Sequence, residues 1–374
     1  MNERKLKRER RRSSNGFVEI LNGLLTLVVI GIVIAGGIFL YVSNDFYSNS
    51  PVAAETTFLV EPGSGLSLTA QRLEAQGLIQ NRLVFQAASW ALKKGGELKP
   101  GEFRIPAGAT KADILKLLTE GDPLEYFITI PEGETSFQVA QRLNDPAKNL
   151  VGDPVPVPPE GSILPGRYDY FPRDTRQSVL AEMQKRMAEQ RDAVWKGCQP
   201  TICGAEAPLK DADDLVTLAS IVEKETGIPT ERPEVAGLFV NRLQDGMKLQ
   251  TDPTIIYGIT KGERTLEGGI TARQKATDTP YNTYVINGLP PTPIANPGIE
   301  SLKAVANPAD TENLYMMAVT PGNPRDGHLF ADTLAEHQAN EAKYRAQERE
   351  RARNPTPDAT GTVPAENAPA APAN

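Results

Sequence analysis

A chain of 374 residues, 40% of them hydrophobic, is long enough to bury a sizeable core and to form two or more domains. The formal net charge is −7, yet the opening MNERKLKRERRR sets seven Lys and Arg against Glu3 and Glu9, so everything after it is acidic. That balance argues against nucleic-acid binding beyond the N-terminal residues.

From Gly23 to Val42 run 20 residues without a charge, GLLTLVVIGIVIAGGIFLYV. A helix of that length crosses the roughly 30 Å hydrocarbon core of a bilayer. A cleaved signal peptide has a shorter apolar region, and SNDFYSNSPVAAE offers no small-x-small site directly after the run, so the segment reads as an uncleaved anchor. The basic residues before it keep the N-terminus in the cytoplasm and send the chain from about residue 44 onward outside.

A repeated unit follows. GSGLSLTAQRL (Gly63 to Leu73) and GETSFQVAQRL (Gly133 to Leu143) lie at an offset of 70 and share AQRL. Each follows a β-like run, TFLVEP or YFITIPE, and a degenerate third copy is EFRIPAGATKADILKLL, in which Gly108 and Leu118 keep the same separation. The unit is strand, Gly turn, amphipathic helix. Generic α+β packing accounts for such a pattern. Its texture also resembles LysM modules, small folds that bind N-acetylglucosamine-containing glycans.

Asp145 to Gly166, DPAKNLVGDPVPVPPEGSILPG, holds six prolines and no sustained period, so it reads as an irregular linker. QSVLAEMQKRMAEQRDAVWKG then reads as a long amphipathic helix, with Val179, Met183, Met187 and Val194 on its apolar face. Cys198 and Cys203 are the two cysteines, in CQPTIC, and in an oxidising compartment they favour a small disulfide loop. A metal pair is the other reading, but no Cys or His cluster accompanies them. Asn354 to Asn374, with five prolines, six alanines and no aromatic residue, cannot build a core and is expected to be disordered.

DADDLVTLASIVEKETG has acids in the first turn, a helical apolar pattern, and Gly227 and Pro229 as stop signals. Glu223 and Glu225 therefore fall in the last turn of that helix, where carboxylates are mildly unfavourable with the dipole. Glu225 has Leu218, Ile221 and Val222 on its face, whereas Glu223 has Val216, Ala219 and Ser220. Glu225 meets the more apolar wall, which raises a carboxyl pKa and suits it to general acid catalysis. A solvated or salt-bridged glutamate is the ordinary alternative at a helix end.

ASIVEKET, then VAGLFVNRLQDGMKLQTDPTIIYGI, TPYNTYVINGLPPTPIANPGIESLKAVANP and GHLFADTLAEH closely resemble the YceG-like family. The similarity is dense from about Asp213 to His337, and weaker but colinear from Thr56 through LPGRYDYFPRDT. The resemblance implies an α+β chain with one N-terminal transmembrane helix, a LysM-like subdomain and a mixed α/β catalytic domain. Expected boundaries are a cytoplasmic basic N-terminus at 1–22, the transmembrane helix at 23–42 and a LysM-like glycan-binding region at 55–144. The linker follows at 145–166, the catalytic domain at 167–345 and the tail at 354–374. The implied place is the inner membrane, single-pass, with the working part in the periplasm. The implied activity is internal cleavage of nascent peptidoglycan strands, a lytic transglycosylase reaction between N-acetylmuramic acid and N-acetylglucosamine that leaves a 1,6-anhydro end.

The family's catalytic glutamate, the second acid of its E-K-E-T motif, falls on Glu225. Asn241, Gln250, Asp252 and Tyr257 supply polar groups suited to acetamido and hydroxyl groups of a sugar, and Tyr281, Asn282 and Tyr284 add polar and flat faces. For Arg242, Asp252 and Tyr257 a buried salt bridge or turn cap is an equal alternative. Gly288 to Gly298, GLPPTPIANPG, reads as a rigid cleft wall or as a surface loop. His328 and His337 match the family's G-H-x-F and terminal His, but nine residues apart and without further ligands they give no metal site, and no cofactor is expected.

A peptidoglycan-binding scaffold without catalysis is the alternative function. A membrane-anchored hydrolase of another substrate, such as a protease, is weaker, because neither G-x-S-x-G nor H-E-x-x-H is present. Expected partners are glycan strands, the inner membrane through the N-terminal helix, and the peptidoglycan synthases beside which an anchored enzyme would work. Strands are expected around Leu249 to Ile259 and Leu314 to Val319, behind the helix that carries Glu225.

Overall fold

The computed structural model describes residues 3–48, 51–320 and 326–353. The tail at 354–374 lies outside them. The chain divides into two compact units, Met1–Tyr126 and Phe127–Asn374. Both mix helix with short strands.

The first unit starts with α1 (Glu3–Ser48). Its apolar side chains from Ile20 to Tyr41 are exposed, and it is the one helix among the described residues long and apolar enough to cross a membrane. The same helix then enters a protein core without a break. Phe46 is 2% exposed, and Asp45 pairs with Lys111 at 3.0 Å, both side chains buried. That core is closed by β1 (Thr56–Val60), α2 (Leu66–Ala75), α3 (Arg82–Ala91), β2 (Gly101–Ile105) and α4 (Lys111–Glu120). β1 and β2 pair antiparallel with Phe58 opposite Phe103. Those rings, with Leu73, Phe85, Ile114 and Leu118, are buried. Each such side chain contributes roughly 1.5–3 kcal/mol by leaving water.

The second unit repeats the strand-turn-helix device with β3 (Tyr126–Ile130) and α5 (Ser136–Asn144), then β4 (Gly166–Tyr170) and α6 (Arg176–Lys196). β3 and β4 form a second two-stranded sheet. Of the four strand-turn-helix units, the sequence displays three, and β4 with α6 is the fourth. In every one the third residue past the strand takes a left-handed φ: Gly63 at 77°, Gly108 at 79°, Gly133 at 75° and Arg173 at 76°. The helix N-cap comes two residues later, at Gly65, Thr110, Thr135 and Thr175. All three threonines accept a backbone N–H with the side chain. The fourth copy escapes a glycine-based reading because arginine stands in the turn.

The rest of the second unit is helical. α7 (Ala212–Glu225), α8 (Arg232–Gln244) and α11 (Ile299–Ala306) pack on one another, and α6 lies against α7 and α11. Leu215, Leu218 and Ile221 of α7, Val235, Leu238 and Phe239 of α8, and Leu302 and Val305 of α11 form its core. α9 (Asp252–Thr260) and α10 (Ala272–Ala276) precede α11, and the hairpin β5 (Tyr315–Ala318) and β6 (His328–Ala331) leads into α12 (Leu334–Arg353). The strand expected around Leu314 to Val319 is present as β5, whereas the one expected at Leu249 to Ile259 is helix α9. Pro253 near the first helical position and Asp252 in the first turn start a helix there, and they outweigh the β-branched run that follows. Cys198 and Cys203 form a disulfide.

Candidate active site

α7 begins at Asp211, whose carboxylate accepts the Asp213 and Asp214 N–H groups at 2.9 Å. Its apolar residues lock the helix into the core, so both acids of its last turn have fixed positions. The Glu223 side chain is 6% exposed. Its Oε2 accepts hydrogen bonds from the Gly298 N–H at 3.0 Å and the Ser301 hydroxyl at 2.7 Å, and its Oε1 faces Arg232 Nη2 at 3.3 Å. Glu223 is thereby a tie between α7, α8 and α11.

Glu225 instead opens on a cavity of about 240 Å³. Phe239 and Leu249 line its apolar side, and Arg242, Asp252, Tyr284 and His328 supply polar groups. The hydroxyl of Thr251 donates to Glu225 Oε1. Thr251 is the N-cap residue of α9 but caps nothing with its side chain, which is turned to Glu225. Burial raises the Glu225 pKa above the ordinary glutamate value. The Thr251 bond and the charges of His328 and Arg242 pull it down by less, and Asp252 pushes it up. The result is a carboxyl group that holds its proton more tightly than a solvated glutamate.

The walls of the cavity are individually fastened. His328 Nδ1 lies 3.0 Å from Glu231 Oε2, and its backbone N–H donates to Glu231 Oε1 at 2.8 Å. Gly327, with φ 78°, makes that approach possible, since a Cβ there would collide with Glu231. The Thr226 hydroxyl, just past α7, donates to the same carboxylate at 3.0 Å. Arg242 donates from Nε to the Leu314 carbonyl at 2.7 Å and from Nη1 to the Leu249 carbonyl at 2.6 Å. Asp252 accepts the Tyr284 hydroxyl at 2.6 Å and pairs with Lys275 at 2.9 Å, while Lys275 lies over the Tyr284 ring. Gln250 lines the cavity with a left-handed φ of 49°, a conformation disfavoured for a residue with a Cβ.

Of the residues singled out in the sequence, Glu225, Gln250, Asp252 and Tyr284 share this cavity. Asn241 donates its amide to the Thr311 and Asn313 carbonyls at 2.7 and 3.1 Å, holding the approach to β5. Asn282 is 1% exposed and donates to the Gln274, Lys275 and Thr277 carbonyls, the shortest at 2.7 Å. Tyr257 and Tyr281 form a ring pair with centroids 5.2 Å apart, and the Tyr281 hydroxyl meets that of Thr292 at 2.8 Å. Tyr257 also hydrogen-bonds Glu160. Thr251 and Glu231 were not apparent from the sequence. The TDP start of α9 hints at the first, and nothing local points to the second, which lies 97 residues before His328.

A larger cavity of about 620 Å³ adjoins the opposite end of α7, between Asp211 and Thr217 and the prolines at 290–293. Glu160, which lines it, is pushed up by burial, but it accepts the Ser136 N–H at 2.7 Å and is tied to Asn296. It links segments of the chain, and the chemistry of an available acid belongs to the smaller cavity. Among the described residues no three His, Cys, Asp or Glu side chains are placed to hold one metal ion.

A model of the YceG-like family matches residues 58–343. The chain is 28% identical over 341 residues to a Bacillus subtilis protein named endolytic murein transglycosylase, covering 83% of this chain and 91% of that protein. It is 27% identical over 365 residues to a protein of the same name from Streptococcus pneumoniae, covering 85% of this chain but 64% of the longer pneumococcal protein. A crystal structure of a yceG-like protein from Listeria monocytogenes, 27% identical, superposes with a TM-score of 0.46 over 76% of this chain and 98% of that one.

Proposed function

Because this chain belongs to the YceG-like family, we propose that it is an endolytic murein transglycosylase with Glu225 as its acid. The observation that carries the reading is the Glu225 carboxyl itself: backed by apolar residues, open to a cavity, and raised in pKa by burial. A protonated carboxyl is what cleavage of a glycosidic bond demands, and the second acid of the motif, Glu223, is committed to Arg232, Gly298 and Ser301.

In the proposed reaction Glu225 gives its proton to the oxygen bridging N-acetylmuramic acid and N-acetylglucosamine, and the bond from that oxygen to the anomeric carbon breaks. The Glu225 carboxylate then takes the proton of the muramyl 6-hydroxyl as its oxygen bonds to the same carbon. The products are a 1,6-anhydro end and a new N-acetylglucosamine terminus, with no water consumed. Intramolecular capture removes the need for a second carboxylate at hydrolase spacing. Gln250, Asp252 and Tyr284 at the cavity wall are proposed sugar contacts, and the Tyr257 and Tyr281 rings a proposed stacking face.

The exposed apolar length of α1 and the basic residues before it support an inner-membrane anchor with the chain from about residue 44 onward in the periplasm. The strand-helix-helix-strand order from β1 to β2 supports the LysM-like reading of residues within 55–144, and peptidoglycan synthases remain the proposed neighbours. The test is digestion of isolated peptidoglycan by the purified protein, with mass spectrometry of the products. Anhydro-muramyl ends internal to the original strands support the enzyme, and glycan binding without cleavage supports a scaffold.

A further inference from the structure

Among the described residues, the charged residues Asp45, Lys111, Arg232 and Arg242 are less than a tenth exposed, and the Glu223 side chain is buried with them. Asp45 and Lys111 answer each other at 3.0 Å. Arg232 meets Glu132 at 3.0 Å and Glu223 at 3.3 Å. Arg242 has no carboxylate. Its Nε and Nη1 donate to carbonyl oxygens, of Leu314 at 2.7 Å and Leu249 at 2.6 Å, and its guanidinium stands 5.8 Å from the Tyr315 ring centroid. Those contacts orient the group and leave its charge unmatched, which is costly in an interior.

Arg242 lines the same cavity as Glu225. The other acid there, Asp252, is already taken by Tyr284 and Lys275. A buried cation next to a neutral acid gains little, whereas a buried cation next to a carboxylate gains much. We propose that Arg242 acts through Glu225, as a preplaced positive charge that is matched only once Glu225 has passed its proton to the glycosidic oxygen. Such an interaction strengthens as charge develops and so lowers the barrier rather than merely tightening binding. Arg242 itself neither gains nor loses a proton: the proton leaves Glu225 for the bridging oxygen and returns to it from the 6-hydroxyl. The proposal rests on reading Glu225 as the acid of the reaction.

The groups bearing on Glu225 from the surrounding elements are Thr251 ahead of α9, Asp252 on α9, Arg242 on α8 and His328 on β6, with Tyr284 in the same cavity. The test isolates one of them. The full chain, labelled with ¹³C at glutamate carboxyls and held in detergent micelles, is titrated by NMR as wild type, Arg242→Gln and Arg242→Lys, with Glu225→Gln to assign the signal. In Arg242→Gln the Glu225 signal titrates at higher pH than in wild type, and kcat on peptidoglycan falls roughly ten- to a hundredfold with KM little changed. Arg242→Lys keeps the wild-type titration and recovers most of kcat. A folded Arg242→Gln protein with the wild-type titration, or with its loss confined to KM, overturns the proposal. Should the glutamine variant not fold, Arg242→Lys decides: an unmoved titration with kcat largely retained upholds the charge role, and an upward displacement overturns it. The titration needs no turnover. A wild type that released no anhydro ends would therefore end the enzymatic reading, and an unmoved titration would end only the role of Arg242.

Discussion

Glu223 and Glu225, two residues apart in the last turn of α7, are committed to different partners: Glu223 to Arg232, Gly298 and Ser301, Glu225 to Thr251 and an open cavity. One substitution at each separates architecture from chemistry. Glu225→Gln keeps the shape and removes the transferable proton, so release of ring-closed muropeptides falls by roughly a thousandfold. Glu223→Gln leaves the acid in place and costs about 2 kcal/mol of stability, because Arg232 loses a buried partner and keeps the more exposed Glu132. Product analysis and urea unfolding of the two variants check this.

The proton on Glu225 also shows in stability. Burial raises its native pKa above the unfolded value, so the native state binds that proton more tightly. The stabilisation is complete below the ordinary glutamate value and is lost as pH rises through the raised native one. Glu225→Gln abolishes that loss, and its melting temperature gains on wild type from acid to neutral buffer. Calorimetry across that range that finds parallel curves would contradict the raised pKa.

Thr251→Val removes the hydrogen bond that favours the Glu225 carboxylate. The native pKa then climbs further, and the alkaline limb of kcat/KM, where the acid loses its proton, moves to higher pH. Thr251→Ser keeps the hydroxyl and keeps the wild-type limb. A pH–rate series on the three proteins reads the difference.

Glu231 carries the opposite sign. Burial would raise it, but hydrogen bonds from the His328 ring, the His328 N–H and the Thr226 hydroxyl together hold it below the usual glutamate range. Its contribution is present above the unfolded glutamate value and is lost as pH falls through the depressed native value. Glu231→Gln therefore costs about 1–3 kcal/mol at neutral pH and less in acid. Because His328 loses its orienting carboxylate, activity falls as well. Denaturant midpoints at two pH values, with kcat alongside, test both halves.

Arg173 holds a left-handed φ of 76° at the turn position where the other three strand-turn-helix units have glycine. Arg173→Gly relieves that strain and, after the added freedom of the unfolded chain is subtracted, stabilises by about 0.5 kcal/mol. Asp174, whose carboxylate accepts the Phe171 N–H at 2.8 Å, continues to close the turn. A shift in thermal midpoint without a change in kcat is the expected reading.

The apolar surroundings of Glu225 are legible because periodicity on a single helix shows which face a residue shares. Its neighbours are legible only in part: Arg242, Asp252, Tyr284 and His328 stand in the quoted motifs, whereas Thr251, and Glu231 behind His328, meet the site from distant stretches, and no local pattern records a meeting of that kind. Asn241 and Asn282 show the converse difficulty. An amide suited to a sugar hydroxyl is equally suited to a backbone carbonyl, and here their donors go to carbonyls of Thr311 and Asn313, and of Gln274, Lys275 and Thr277. The repeat is visible where glycine marks the turn and hidden where arginine does, and the β-branched run at 254–256 reads as a strand although the Thr-Asp-Pro start of α9 makes it helical.

α1 passes from its apolar stretch into the first unit as one unbroken rod, clamped by Phe46 and by the Asp45–Lys111 pair. Such a stalk has no slack and behaves like an axle. Deleting one residue between Val42 and Asp45 draws that core about 1.5 Å toward the apolar stretch and swivels it by about 100°. Height and heading are thus geared together.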